Sequence, residues 1–116
     1  MDQRAGRKYR VTRRQDIDRL FREGRRTCDE RLTLLARPNG LEHSRLVVAV
    51  ASRYGPASRR NRAKRLCREA FRLTREDLPG GRDYAMIPRP GKVTTLEALC
   101  EGLRGLAPRL EAACKE

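Results

Sequence analysis

The chain has 116 residues, with 28 Lys and Arg against 15 Asp and Glu and a formal net charge of +13. That length suits one domain with a single modest core, and the charge favours a polyanion partner: RNA, DNA or an acidic membrane surface. No apolar run reaches membrane-spanning length and MDQRAGRKYRVTRRQ lacks the apolar stretch of a secretory signal, so a cytoplasmic location is expected.

Residues 1 to 10 are polar and basic, and both ends, about 1–8 and 112–116, are expected to be loose. Thr12 and Gln15 have the spacing of a capping box, in which each side chain satisfies a backbone N–H near the start of a helix. Ile17, Leu20 and Phe21 follow at helical spacing and Gly24 supplies a stop, which predicts a first helix over Arg13 to Glu23. Residues 25–30 are polar and suit a short edge strand. RLTLLARP and the Val-rich SRLVVAVAS flank the turn signal Pro38-Asn39-Gly40 and predict an antiparallel hairpin. The second of these strands is apolar on both faces, which places it inside the sheet.

A second helix is predicted over Pro56 to Leu73. LPGG, Leu78 to Gly81, is a loop signal, and RDYAMIPRP supplies another strand, ended by Pro88 and Pro90. Thr94 and Glu97 have the spacing of a second capping box. Leu96, Leu99, Cys100, Leu103 and Leu106 then form the apolar stripe of a last helix. The order α-β-β-β-α-β-α predicts a single-domain α+β sandwich over residues 1–116, one central sheet with packed helices.

The second helix is the most informative segment. At about 100° per residue, Ala63, Leu66, Cys67, Ala70 and Phe71 gather on one side, fit to pack on the sheet. Asn61, Lys64, Arg65, Arg68 and Arg72 gather opposite. Arg59, Arg60 and Arg62 crowd the first turn, where free N–H groups and the helix dipole already favour an anion. Charge runs ordinarily serve as solvated faces. Here Glu69 is the one acid within the run, and crowded like charges destabilise an isolated helix, so a polyanion partner is the better account.

Cys28, Cys67, Cys100 and Cys114 are scattered with no CxxC pair, which argues against zinc and for reduced thiols, Cys67 and Cys100 as small core residues. No catalytic constellation is legible. His43 is the one histidine, expected at the surface in the hairpin loop. Asp16 and Asp18 diverge on a helix, as do the adjacent Asp29 and Glu30, and Glu76 and Asp77 read as a helix end.

SRRNRAKRLCREAFR resembles the RNR signature helix of the bacterial ribonuclease P protein component. RRQDIDRLFREGRR is similar to that family's first helix, RLVVAVASRYG to the strand and turn before the signature, and RDYAMIPRPG to its last strand. The resemblance runs from about Tyr9 to Leu106. It implies an α-β sandwich with a left-handed crossover, and a protein subunit that binds the catalytic RNA of ribonuclease P while a cleft between the first helix and the sheet holds the 5′ leader of precursor tRNA. It implies that the RNA removes the leader, using magnesium held mainly on RNA, with no cofactor bound firmly by the protein.

By that resemblance Arg60, Asn61, Arg62, Lys64, Arg65 and Arg68 are RNA contacts, joined by Arg59 from the crowded first turn and by Arg53 before the turn. Ile17, Phe21 and Leu35 match leader-cleft positions that are often aromatic in the family. Here only Phe21 is, and Tyr54 offers a substitute ring. A small ribosomal or other structural RNA-binding protein without a role in tRNA processing would share the size and charge. A DNA-binding protein fits less well, for no helix-turn-helix pair is visible.

Overall fold

A computed structural model describes residues 7–90 and 95–114. Three α-helices, α1 (Arg14–Glu23), α2 (Ala57–Thr74) and α3 (Leu96–Cys114), pack on one sheet of β1 (Arg25–Cys28), β2 (Leu32–Pro38), β3 (Arg45–Val48) and β4 (Arg82–Pro88). The mixed α+β class and the element order agree with the sequence. Of the ends expected to be loose, residues 1–6 and 115–116 lie outside the described residues. Arg7–Tyr9 forms a 3-10 turn, and α3 continues to Cys114.

The sheet order is β1-β2-β4-β3, so the predicted hairpin of β2 with β3 does not exist. β4 lies between them, antiparallel to β2 over seven residue pairs and parallel to β3 over four. The Pro38-Asn39-Gly40 turn is real: Gly40 has φ 74° and the Leu41 N–H donates to Asn39 Oδ1 at 2.7 Å. It starts a wider connection that carries the chain past the end of β4. Asn39 fixes that crossing, its N–H donating to the Gly81 carbonyl at 3.0 Å and its Nδ2 to Asp83 Oδ1 at 2.9 Å. β3 then reaches β4 through α2, the crossover connection that a parallel neighbour requires.

β3 is therefore an outer strand, not an inner one. Its two apolar faces have another cause: helices cover both sides of the sheet. Leu32, Leu34, Ala36, Leu46, Tyr84 and Met86 meet Cys67, Ala70 and Phe71 of α2 and the Leu99, Leu103, Leu106 stripe of α3. The opposite face, Leu35 and Ala85 with Val47 and Ile87 at the margin, lies under Leu20 and Phe21 of α1. Two-faced coverage demands apolar residues in both registers of a strand wherever it stands in the sheet.

The two capping boxes fare differently. α1 starts from Arg13 with no side-chain cap, so Thr12 does not play the predicted role. Thr94 lies outside the described residues, and the cap of α3 falls on Thr95, whose Oγ1 accepts from the Ala98 N–H at 3.1 Å. Cys67 and Cys100 are buried and Cys28 is exposed, all three free thiols.

Candidate nucleic-acid interface

α2 is positioned by its apolar stripe. Ala63, Cys67, Ala70, Phe71 and Thr74 are buried, which fixes the helix's rotation and turns Arg59, Asn61, Arg62 and Arg65 into solvent. Leu66, expected in the stripe, is only half-buried at its margin. Glu69 does not neutralise the exposed row, for its carboxylate is taken by Arg72, whose Nε donates at 3.0 Å. The chain enters α2 through the 3-10 turn Ser52–Tyr54, which carries the exposed Arg53 and the half-buried Tyr54. Gly55 follows at φ 150°, where a Cβ would come within 3.0 Å of Arg59 Cδ, so glycine lets the first turn's arginine pack against the turn. Pro56 precedes the helix and supplies no side-chain cap to its first-turn N–H groups.

Three of the basic residues expected to contact RNA stand off this exposed row. Lys64 and Arg68 lie half-buried on a flank of α2. Arg68 is held below the ordinary arginine value by burial and then by the nearby charge of Arg10. Arg60 is half-buried, its Nε without a hydrogen-bond partner among the described residues. The helical wheel separates the buried stripe from its opposite but does not register the β3 edge, which covers one flank.

The other candidate surface lies where α1 crosses the sheet. Ile17 and Phe21 are half-buried on α1, and Phe21 packs against the cluster of Leu20, Leu35 and Ala85. Leu35 is only 1% exposed and forms packed floor beneath α1, so it presents no surface of its own. The half-buried sheet residues beside it are Val47 and Ile87. A polar tether missed by sequence reasoning holds α1 here. Arg45 on β3 grips Asp83 on β4 through two hydrogen bonds of 2.8 and 2.7 Å, and reaches Asp16 on α1 at 3.6 Å. Asp83 is 2% exposed. The clue was legible: a charged residue within each of two apolar strands calls for a partner.

His43 lies in the β2–β3 crossing connection, not a hairpin loop. Its Nε2–H donates to the Lys8 carbonyl at 2.8 Å, and its ring meets Tyr9 edge-on at 5.5 Å. The Arg75 guanidinium sits 3.7 Å from the Tyr9 ring centroid. His43 thus anchors the incoming N-terminal segment. Among the described residues no group of three His, Cys, Asp or Glu side chains is arranged to hold a metal ion, and no helix is long and apolar enough to cross a membrane.

Fold and surface together define a small α+β protein that offers a basic, uncapped helix to a polyanion. Residues 5–111 match the family model described as Ribonuclease P. The chain is similar to the ribonuclease P protein component of Thermotoga petrophila, 36% identical over 110 residues that cover 90% of this chain and 94% of the relative. It is 41% identical over 83 residues to that of Thermotoga maritima, covering 72% and 71% of the two chains. The solved structure of the Thermotoga maritima RNase P protein superposes with a TM-score of 0.77 at 34% identity, covering 86% of this chain and 96% of that one. The chain belongs to the ribonuclease P family, the protein components of the ribonucleoprotein endoribonuclease that matures the 5′ ends of tRNA. Its partner is accordingly an RNA.

Proposed function

We propose that this chain binds the catalytic RNA of ribonuclease P along the outer face and first turn of α2, and holds the 5′ leader of precursor tRNA against α1 and the neighbouring sheet. The observation that carries this reading is the row Arg59, Asn61, Arg62 and Arg65, exposed on a helix whose one acid is already engaged by Arg72. Arginine forks grip phosphates in pairs of hydrogen bonds, and the uncapped helix end adds backbone donors at the same place. Arg53 extends the row, while Lys64, Arg68 and the outer part of Arg60 meet the same RNA from the flank.

The leader side is less aromatic. Phe21 is the one ring on α1, and Tyr54 stands on the turn before α2. The leader is therefore held mainly by charge and shape, with one stacked base on Phe21. Catalysis belongs to the RNA, with magnesium carried mainly on it, and the particle works in the cytoplasm. The test is reconstitution: the purified chain, mixed with the RNA subunit transcript, should lower the magnesium needed for 5′ processing of precursor tRNA. An RNA subunit that neither binds the chain nor gains activity from it would overturn the reading.

A further inference from the structure

The outer edge of β3 carries a pocket that shares Arg68 with the flank of α2 and stands apart from the leader surface. Arg10 bridges to Leu46 as a single parallel rung, and the Val11 N–H donates to the Leu46 carbonyl at 3.0 Å. Between this incoming segment and α2 lies a pocket of about 210 Å³. Val11, Leu46, Val48 and Phe71 give it an apolar wall, Arg10 and Arg68 are its cations, and among the described residues no carboxylate lines it. Holding two guanidiniums at one opening without an acid is unfavourable, and burial together with the charge of Arg10 pulls Arg68 below its ordinary value. An anion placed between them would remove the repulsion, and the apolar wall suits a ligand whose anionic group is joined to a flat apolar body.

We propose that this pocket receives one unpaired nucleotide of the RNA subunit, its base against Val48, Leu46 and Phe71 and its phosphate between Arg10 and Arg68. Inorganic phosphate alone would leave the apolar wall unused. The RNA subunit is the source because Arg68 and Phe71 belong to the helix that carries the exposed basic row, and Leu46 and Val48 face that helix. The leader surface lies under α1, on the opposite face of the sheet. Single-stranded nucleotides are bound in this way elsewhere, by an apolar or aromatic platform for the base and an arginine for the backbone. The inference rests on the reading that α2 binds the RNA subunit.

Filter binding of the full chain to its RNA subunit transcript at fixed salt tests it with three variants. Val48→Phe fills the pocket without changing charge. Arg10→Ala removes an exposed guanidinium and leaves its backbone rung intact. Arg65→Ala reports on the exposed row alone. Val48→Phe and Arg10→Ala should each weaken binding about tenfold, while circular dichroism and the affinity ratio for precursor tRNA with and without a leader stay unchanged. If Val48→Phe unfolds, Val48→Leu replaces it with a smaller expected loss of the same sign. A folded pocket-filling variant of unchanged affinity, beside a weakened Arg65→Ala, overturns the pocket and leaves the reading of α2 standing. Unchanged affinity in all three overturns both. A change confined to the leader ratio assigns the pocket to the substrate and overturns the proposal.

Discussion

Asp83 is the residue on which most of the polar interior depends. Its carboxylate accepts two hydrogen bonds from Arg45 and one from Asn39, so one side chain joins β3, β4 and the β2–β3 crossing. Hydrogen bonding to Asp83 raises the Arg45 guanidinium above its ordinary value. Removing one partner of a buried pair leaves the other charge short of compensation. Asp83→Ala should therefore destabilise the protein by about 3 kcal/mol, the low end for such a break, because Arg45 retains Asp16. Urea unfolding measures it, and a midpoint equal to that of the native chain would refute the tether. Cys67 makes a different prediction at the same scale. Burial pushes its thiol from 9.0 up to about 12. A group whose folded value lies above its unfolded one contributes stability below the unfolded value and loses it as pH rises toward the folded one. Unfolding midpoints of the native chain and of Cys67→Ala should change relative to one another between pH 9 and 12, the native chain losing more, and parallel curves would count against the burial argument.

The elements divide α2 into a buried stripe and an exposed basic row. The buried stripe of α2 sets which arginines face outward, so changes on the two sides should separate cleanly. Arg62→Ala and Arg65→Ala should leave the fold intact and weaken RNA binding, each flattening the log–log salt dependence by roughly 0.7 to 0.9. Leu103→Ala, wholly buried on α3, should instead cost about 2 to 5 kcal/mol of stability with the salt slope unchanged. Arginine variants that unfold while Leu103→Ala stays native would show the helix facing to be wrong. On α1, Phe21→Ala should reduce the preference for leader-bearing over mature tRNA by about 1 kcal/mol or more, if one base stacks there. Affinities for precursor and mature tRNA in the holoenzyme decide it, and an unchanged ratio in a folded variant would make Phe21 plain core. The helices themselves were legible because 3.6-residue periodicity is local. The neighbour of β3 was not, since apolar residues in both registers report coverage of two faces and say nothing of strand order. The signature run of α2 could likewise be read directly, whereas the pocket formed by Arg10 and Arg68 depends on a segment and a helix 58 positions apart meeting at the edge of β3.

At the scale of the whole molecule the acids tell as much as the excess of bases. A protein that cut RNA itself would need carboxylates converging on metal ions, or a histidine with a partner in reach of the substrate. Among the described residues, several acids instead pair with arginines or accept from backbone donors. Asp16 and Asp83 serve Arg45, Asp18 pairs with Arg14, Glu23 with Arg37, Glu69 with Arg72 and Asp77 with Arg104. Asp29 accepts the Arg31 and Leu32 N–H groups at the entry to β2. His43 is occupied by the Lys8 carbonyl and the Tyr9 ring. The net charge of +13 suits a protein that draws RNA in, and the acids just named serve its own architecture. The purified chain, freed of RNA, should leave precursor tRNA uncut at every magnesium concentration, and adding the RNA subunit should give 5′ maturation. The assay is a gel of end-labelled precursor with protein alone, RNA alone and both, at low and high magnesium. Specific 5′ cleavage by the protein alone, lost on changing a single carboxylate, would place a catalytic centre in this chain and reverse the assignment.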